Sequence, residues 1–552
     1  MRQLLNLLGW TSIQVTQLNY PTNIRAELYR VTDLADQDIL TAPQHPIAAF
    51  GSDLEKPRDP DKVQQHMYVA CLYGIYDCER LYDQMRLLDG IQGSKIFLLD
   101  YALSHSERRK LARKLKDRGT CLDNVNMVID RVLITYLADN YNENLINRIL
   151  MATAMPFSYC QPYVVDSIQT MPPEIFIGRK DELRRIERYD GVNLIYGGRQ
   201  LGKSALFKKA VSDLDGRGGQ RAIRVDIKDK DCAAAARKVS MALIEKGILP
   251  PDTPITDDWD ELCLNIKMRL RSKTDEISYF LLMLDEADEL IKTSADCNYH
   301  PLVALKDVQE TMQKRFKYVL AGLHNVVKFN RDVALGRNSV ITHMSSLKIT
   351  PFFDKEATEL LTGSLSYLGF SLPNKVPVSQ ILATCSYFPG LIQLYAQKLI
   401  ESVQAADYAG YTTSNSPPYV VTDDHLRRVM SDKKFVATIR EKFEITLKLD
   451  EDQGSYCSPL ALLIGWMYYM VDSESGYTAR DVLHHAKDLH IVPLEVLDEE
   501  KLDALLQELQ DLNILRSVSS NSYLLASKNF RDLLGTYDEI EKELGKFEGR
   551  SE

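Results

Sequence analysis

Residues 193–210 read NLIYGGRQLGKSALFKKA, and this stretch decides the fold. The apolar run from Val192 to Tyr196 predicts a short strand, and the apolar spacing from Ala205 onward predicts a helix. The residues between them, GGRQLGKS, match the pattern GxxxxGK[ST] in full. A strand, a glycine-rich turn and a helix N-terminus in this order predict a phosphate-binding loop.

Each part of this loop has an expected role in holding a nucleotide. Glycines let backbone N–H groups surround the phosphate oxygens, and the helix dipole adds partial positive charge. Lys203 is expected to reach the β- and γ-phosphates, where it assists catalysis, and the Ser204 hydroxyl to bind Mg²⁺. The predicted ATP ligands of the loop and the first helical turn are Gly197, Gly198, Arg199, Gln200, Leu201, Gly202, Lys203, Ser204 and Ala205.

A second pattern is an apolar strand that ends in two acids, YFLLMLDEADEL at residues 279–290. A buried strand ending in carboxylates needs a reason, because burying a charge is unfavourable unless it is paired or binds a metal. Asp285 is expected to hold Mg²⁺ through its water shell. Glu286 is expected to orient and deprotonate the attacking water.

Polar and basic residues around the next predicted strand offer further candidates. Asn325 or His324, at the end of YVLAGLHN, is expected to sense the γ-phosphate, the alternative being an ordinary polar turn. Arg315, Arg331 and Arg337 are candidates for a finger that reaches a neighbouring subunit's nucleotide. Each of these arginines has an ordinary surface role as its alternative.

The composition of the 552 residues is that of a globular protein, with 45% hydrophobic and 26% charged residues. The formal net charge of −10 argues against a nucleic-acid coat, although it allows a local basic patch. No apolar run reaches the length of a membrane span. The nine cysteines are dispersed without a CxxC pair, which predicts reduced thiols in the cytoplasm and argues against a disulfide frame or a zinc site.

The predicted fold class is α/β, with a P-loop parallel sheet, a helical lid, a C-terminal winged helix and an N-terminal α/β region. The strands expected in the parallel sheet are 192–196, 221–227, 279–285, 317–322 and 346–350. The predicted domains are 1–94 of unclear fold, 95–170 as an α/β segment, 171–350 as the ATPase core, 351–424 as the lid and 425–545 as the winged helix. The abrupt start at residue 1 is what a chain cut from a longer protein would show.

A basic helix is predicted after Ser106, its candidate cap, ending at Gly119. Its basic residues are Arg108, Arg109, Lys110, Arg113, Lys114, Lys116 and Arg118. They form either a face for DNA or an acidic partner, or a solvated surface, and the solvated surface is favoured.

The third helix of the predicted winged helix is acidic, which is unusual for a DNA reader. Between Leu497 and Asp511, Lys501 is outnumbered by Asp498, Glu499, Glu500, Asp503, Glu508 and Asp511. Phosphates would repel such a helix. We therefore expect this module to contact protein, within the chain or outside it.

In this order, FIGRKDEL, GGRQLGKS, LLMLDEAD, VLAGLHNV, YFPGLIQ and the winged helix resemble the AAA+-like ATPases. The closest resemblance is to the STAND class, near the archaeal-type and origin-recognition ATPases. It implies that Gly178 and Arg179 lie near the adenine and that Pro389 contacts the nucleotide. It also implies that a winged-helix histidine holds the nucleotide domain closed, with His484, His485 and His490 as candidates. The lack of a clear second-sensor arginine favours STAND over a processive motor.

The function expected from this resemblance is an ATP-dependent switch with slow, Mg²⁺-dependent hydrolysis. ATP binding is expected to order the lid and the winged helix and to promote homo-oligomerisation or binding of an effector protein, for example in bacterial antiphage defence. One alternative is a DNA-binding loader or transposition-type regulator that uses the Arg108–Arg118 helix. Another is a nucleotide-binding scaffold with negligible turnover. No membrane partner is expected.

Overall fold

The computed structural model places the chain in two units that alternate along the sequence. The first unit holds Met1–Gly178, Asp354–Leu382 and Ile392–Ser431, and the second holds Arg179–Phe353, Ala383–Leu391 and Asp432–Glu552. The structure describes residues 1, 3, 5, 13–22, 24–33, 66–74, 77–91, 95–104, 106–108, 110–111, 114, 126–139, 163, 176–215, 218–272, 277–334, 344–367, 370–404, 419–447, 456–470, 475–519 and 521–549.

The first unit contains a mixed five-stranded sheet. Its strands, in spatial as well as chain order, are β1 (Ile13–Leu18), β2 (Ala26–Asp33), β3 (His66–Leu72), β4 (Lys95–Leu99) and β5 (Asn126–Ile129). β1, β2 and β3 pair antiparallel, whereas β3, β4 and β5 pair parallel. Helix α1 (Cys78–Arg86) precedes β4, and α2 (Arg131–Asp139) follows β5.

This sheet confirms the predicted strand at 95–101 and the predicted strand running into a helix at 126–138. β3 takes in the first part of the apolar run at 67–76, up to Leu72, whereas residues 75–76 and the run at 46–52 lie outside the described residues. β1 and β2 were not predicted, because the first residues carry no clear alternation of apolar and polar side chains.

The basic helix is not simply a solvated face. Arg108 is buried and forms an ion pair with Asp130, which also accepts the Leu103 N–H at 2.9 Å. Lys114 pairs with Glu79 at 2.6 Å. Ser104, rather than Ser106, caps the helix, because Ser104 and Glu107 each accept the other's backbone N–H. Arg109, Arg113, Lys116 and Arg118 lie outside the described residues.

The predicted parallel sheet is present in the second unit. Along the chain come α3 (Lys180–Glu187), β6 (Leu194–Tyr196), α4 (Lys203–Asp215), β7 (Gln220–Asp226), α5 (Cys232–Glu245), α6 (Trp259–Arg271), β8 (Tyr279–Asp285), α7 (Asp288–Ser294), α8 (His300–Met312), β9 (Phe316–Gly322), α9 (His324–Ala334) and β10 (Ser346–Lys348). The spatial order is β10-β6-β9-β8-β7, and every pair is parallel. Every residue of β8 and β9 is buried, as in parallel sheets covered on both faces. All five predicted strands are confirmed.

The predicted lid helices are also present as helices. They are α10 (Asp354–Tyr367), α11 (Lys375–Thr384) and α12 (Pro389–Gln404), with the short parallel pair β11 (Phe370–Ser371) and β12 (Tyr419–Val420) and then α13 (Asp423–Ser431). Pro389 is the first residue of α12, as predicted, because a helix start tolerates the missing N–H. The predicted linker at 408–418 lies outside the described residues.

The C-terminal part forms the predicted winged helix. After α14 (Lys433–Leu447) come α15 (Cys457–Met470), α16 (Ala479–Asp488), the short α17 (Val492–Glu495) and α18 (Glu499–Asp511). The antiparallel wing is β13 (Leu515–Ser519) with β14 (Ser522–Leu525), and α19 (Lys528–Leu534) and α20 (Tyr537–Leu544) follow. Within the described residues, no helix combines the length and apolar character that crossing a bilayer requires.

A buried lysine closes the end of the helix that leads to the phosphate strand. The Lys317 ammonium, on β9, donates to the carbonyl oxygens of Arg185, Ile186 and Arg188 at 2.9, 2.8 and 2.7 Å. Burial lowers the pKa of Lys317, to about 7, and the three carbonyls oppose this because only the ammonium form has three donors. These carbonyls at the end of α3 are among those a helix leaves without an intrahelical partner.

Replacing this lysine should destabilise the second unit. Lys317→Met leaves the Ile186 carbonyl without a donor, while the Arg185 and Arg188 carbonyls keep the N–H groups of Val192 and Gly191, so we expect a loss of roughly 1–3 kcal/mol in unfolding free energy. Urea unfolding followed by tryptophan fluorescence measures it. The matched control is Lys314→Met, an exposed lysine just before the same strand, which should leave the midpoint unchanged. Equal midpoints for both variants would contradict the capping role.

Candidate nucleotide site

The phosphate loop has the backbone that its glycines predict. β6 ends at Tyr196, α4 begins at Lys203, and positive φ values occur at Gly197 (146°), Gln200 (62°) and Gly202 (89°). The Lys203 ammonium turns back into this loop and donates to the carbonyl oxygens of Gly197 at 2.6 Å and Gly198 at 3.0 Å. Burial lowers the pKa of Lys203, while nearby Glu286 and Asp285 raise it. The cation therefore sits where phosphates are expected, opposite two acids.

The first acid after β8, Asp285, already has a charged partner. Its Oδ2 accepts from Arg224 of β7 at 2.8 Å, and its Oδ1 accepts the Glu286 N–H at 3.1 Å. The sequence analysis missed Arg224, which satisfies the buried charge without a metal. The Asp285 carboxylate and the Ser204 hydroxyl are oxygen ligands of the kind that Mg²⁺ prefers, so the predicted metal role of these residues is chemically compatible with their side chains and stays a prediction.

The second acid, Glu286, has an environment suited to taking a proton. Its φ of 56° is uncommon for a residue with a side chain and marks a constrained position at the sheet edge. Burial raises the pKa of Glu286 and Asp285 raises it further, whereas Lys203 and Arg199 oppose the change. A carboxylate with a raised pKa is a stronger base, which suits the predicted catalytic role.

A third acid, Asp288, organises the turn that carries the predicted phosphate sensor. Its carboxylate accepts the backbone N–H groups of Leu323 at 2.7 Å and Asn325 at 2.9 Å, so it caps α9 from outside the helix. A side chain at Gly322 would collide with this carboxylate. The turn thereby places Asn325 in the first turn of α9, and its role as γ-phosphate sensor stays a prediction. The sequence analysis did not single out Asp288, although it lies in the LDEAD pattern.

The two residues expected near the adenine behave differently. Arg179 is buried and contacts Glu182 at 2.9 Å, the carbonyl of Leu201 at 3.4 Å, the carbonyl of Thr350 and the ring of Phe352. These contacts hold the start of α3 against the phosphate loop, so the Arg179 side chain helps to position the loop. Gly178 has a φ of 65° and lies against Glu356, so a side chain there would be strained.

The turn before α12 lies directly on the phosphate loop. The Gly390 N–H donates to the Gln200 carbonyl at 3.0 Å, and Pro389 lies about 4.0 Å from where a side chain would start at Gly202. A side chain at Gly390 would overlap with the Gln200 side chain. Pro389 thus lies beside the loop, its contact with a nucleotide stays a prediction, and Gly390, from the motif YFPGLIQ, also contacts the loop.

The C-terminal end of α18 also contacts the loop. A side chain at Gly198 would come within 2.5 Å of the Leu512 carbonyl oxygen. Asn513 donates to the Ile349 carbonyl at 3.1 Å, and Lys348 contacts Asp511 at 3.1 Å. These contacts confirm that the acidic helix faces protein within the chain.

Contacts between α9 and α18 account for several of the candidate residues. Arg331 donates to the Ala504 carbonyl at 2.8 Å, and His324 contacts Glu508. His324 is thus engaged by Glu508, its role as γ-phosphate sensor stays a prediction, and Arg331 is engaged by its own chain. Arg315 donates to the Ile277 carbonyl at 2.7 Å, and Arg337 lies outside the described residues.

The expected winged-helix histidine is not among the three candidates. The contacts of His484, His485 and His490 are with Asp488, Trp466 and Glu495, all within the winged helix itself. The contact runs the other way, from the core histidine His324 to the winged-helix acid Glu508. The prediction was wrong because a sequence pattern does not show which side of an interface supplies the histidine.

A cavity opens at the mouth of the loop. Its lining is Gly198, Arg199, Gln200, Phe388, Leu391, Lys442, Leu512, Ile514 and Phe530. Phe388 and Phe530 meet edge to face with centroids 5.6 Å apart. The buried Nε of Arg199 has no hydrogen-bond partner among the described residues. The apolar wall and this Arg199 Nε–H line the mouth of the phosphate loop.

The fold and the site define a P-loop protein of the α/β class with a winged helix. Loop, acid pair and polar turn all lie at the carboxyl ends of β6, β8 and β9, where ligands of parallel sheets bind. The order of the parallel strands and the backbone of the phosphate loop are the two observations that support this class.

No protein-family model and no curated protein matches the chain. Among solved structures it is similar to the Walker-type ATPase PABY2304 of Pyrococcus abyssi, with 13% identity, 65% of this chain and 96% of that chain covered, and a TM-score of 0.47. It is also similar to the ORC2 protein of Aeropyrum pernix in ADPNP-ADP complexes, with 14% identity, 68% and 94% covered, and a TM-score of 0.41. It is similar as well to Cdc6p from Pyrobaculum aerophilum, with 14% identity, 70% of this chain and 99% of that chain covered, and a TM-score of 0.33.

The contact between Gly198 and Leu512 can be tested with a single methyl group. Gly198→Ala forces the α18 end away from the loop, because a backbone carbonyl cannot rotate aside. We expect about 1–3 kcal/mol lower stability and faster deuterium exchange of the α18 amides. The matched control is Gly218→Ala, where a side chain meets open space. Unchanged exchange in α18 would show that the helix does not depend on this contact.

Proposed function

We propose that this chain is an ATP-binding and ATP-hydrolysing switch of the STAND/AAA+ class, whose winged helix responds to the nucleotide. The observation that carries the proposal is the direct contact of the α18 end with the phosphate loop. Because the backbone of the loop meets the backbone of the α18 end there, a ligand that shifts the loop would alter the docking of the winged helix.

Nucleotide binding follows from the groups that converge on the loop. The N–H groups at the start of α4 and the loop backbone take the phosphates. Lys203 exchanges the carbonyls of Gly197 and Gly198 for phosphate oxygens, which are stronger acceptors because they are charged. Arg199 supplies a second cation beside Glu286, and the base is expected near Gly178 and Arg179, as the sequence resemblance implies.

Hydrolysis depends on the acids at the end of β8. Glu286 takes the proton of the attacking water, helped by its raised pKa. Asp285 and Ser204 would hold Mg²⁺, which neutralises phosphate charge when bound. Because Arg224 already pairs with Asp285, the metal has to share that carboxylate, and this favours slow turnover.

The charge of the α18 end gives the switch a direction. The end of a helix carries partial negative charge on its last carbonyl groups, and the Leu512 carbonyl faces Gly198. Added phosphate charge at the loop therefore weakens the docking of α18, so ATP loosens the winged helix more than ADP does. This reverses the expectation from sequence that ATP orders the winged helix. The released surface then binds an effector protein or a second copy of the chain, as in signalling or antiphage defence.

The DNA-loader alternative has less support in the structure. Arg108 is buried in an ion pair with Asp130, so it is not presented to a duplex. The acidic α18, which would be the reading helix, faces the core at its C-terminal end.

The proposed catalytic role can be separated from binding. Glu286→Gln keeps the side-chain shape and removes the base, so turnover should fall by about 10²–10⁴-fold while ATP affinity stays near wild type. Phosphate release and calorimetric titration measure the two quantities. Lys203→Ala is the comparison, and it should lose measurable ATP binding. Wild-type turnover in Glu286→Gln would assign the catalytic base elsewhere.

The switch itself can be tested at Asp511. Asp511→Ala removes the partner of Lys348 at 3.1 Å and of Arg331 at 3.7 Å, so α18 should undock more often. Because phosphate charge at the loop opposes docking, ADP should then bind more tightly and leave several-fold more slowly. Stopped-flow release of a fluorescent ADP analogue measures the rate. Glu499→Ala, at the exposed start of the same helix, is the matched control and should release ADP at the wild-type rate. An unchanged rate in Asp511→Ala would separate the winged helix from nucleotide release.

A further inference from the structure

Three potential metal ligands meet where α9 packs on the winged helix. His324 begins α9, Cys457 begins α15, and Glu508 lies in the last turn of α18. One ligand atom from each side chain lies within 4.8 Å of the other two. His324 and Cys457 are 4% and 0% exposed, and Glu508 is largely buried. The phosphate site described above uses none of these side chains.

The chemistry of this set fits zinc better than magnesium. An imidazole nitrogen, a thiolate sulfur and a carboxylate oxygen are all zinc ligands, whereas Mg²⁺ prefers oxygen alone. With bond lengths of about 2.0–2.3 Å, the ligand atoms of a tetrahedral zinc lie roughly 3.3–3.5 Å apart. The three observed atoms therefore need shifts of about an ångström to close around an ion.

The surroundings favour a cation at this point. The contact between His324 and Glu508 already pairs an imidazole with a carboxylate, and a metal ion can take the place of the shared proton. Cys457 begins α15, where the N-terminal end of a helix favours negative charge and thus the thiolate that binds zinc. Three protein ligands and one water complete a tetrahedral site.

We propose that His324, Cys457 and Glu508 bind a zinc ion that fastens the winged helix to the nucleotide core. The dispersed cysteines argue against a zinc site whose ligands lie close together in sequence. They do not argue against a site whose ligands the fold brings together from distant parts of the chain. Here the fold supplies the site, since Cys457 and Glu508 come from two winged-helix elements and His324 from the core turn that Asp288 holds. The ion stabilises the docked form by binding it and not the undocked form.

The test measures metal binding by the full chain without nucleotide. Protein purified without chelator is assayed for zinc by mass spectrometry, then stripped and titrated with Co²⁺. We expect stoichiometric zinc, a sulfur-to-cobalt charge-transfer band, and a melting temperature that zinc raises and a chelator lowers. Cys457→Ser should lose the band and the response to chelator, and Glu508→Gln should weaken Co²⁺ binding by about 10–100-fold.

The matched control is Cys263→Ser, a thiol buried in the core of the same unit away from these ligands. It should keep the band, and its circular dichroism shows how much a buried serine alone disturbs folding. Wild-type protein that binds neither zinc nor Co²⁺ would overturn the proposal, whatever the variants do. A charge-transfer band that survives in Cys457→Ser, or disappears in Cys263→Ser, would also overturn it.

Discussion

Backbone approaches the phosphate loop more closely than any side chain would allow. A side chain at Gly197 would come within 2.5 Å of the Ile349 carbonyl oxygen, and one at Gly198 within the same distance of the Leu512 carbonyl oxygen. On another side, Gly390 donates to the Gln200 carbonyl. The strand β10, the winged helix and the lid turn therefore all meet at a loop whose glycines leave room for them. The glycines needed for phosphate binding also permit the docking of the other parts.

Buried charge is the second constraint, and it is balanced by a closed set of partners. Lys203 and Arg199 face Glu286, while Arg224 pairs with Asp285 and Asp288 accepts backbone N–H groups. Burial raises the pKa of both Glu286 and Asp288 and lowers that of Lys203. The protonation of each group is therefore sensitive to any charge that is added nearby. A site of this kind responds strongly to an incoming phosphate or metal, because new charge rearranges pairs that are already shielded from water.

The sequence predicts the sheet well because local patterns define it. β8 has the predicted bounds, since a run of apolar residues ending in acids is a local signal. Pairings between distant elements are different. Arg224 and Asp285 are 61 residues apart, and His324 and Glu508 are 184 apart, so no window of sequence contains both partners. The wrong winged-helix histidine and the unpredicted cluster of His324, Cys457 and Glu508 share this cause. Arg108 shows the same limit, because a basic helix pattern does not reveal that one arginine has a buried acid partner.

The connection between the acid pair and the winged helix is short and made of rigid parts. Asp288 lies two residues after Glu286 and holds the backbone of Leu323 and Asn325. His324, between those two residues, contacts Glu508. Further along α9, Arg331 donates to the Ala504 carbonyl. A shift of the loop after β8 therefore moves the start of α9, and with it the residue that holds α18. Because Leu512, just past the same C-terminal end of α18, lies on Gly198, the phosphate loop and the acid pair act on that end through separate contacts. A nucleotide that contacts the phosphate loop and the acid pair together would act on α18 through both contacts. A ligand that contacts only the loop or only the acid pair would leave the second contact to hold α18 in place.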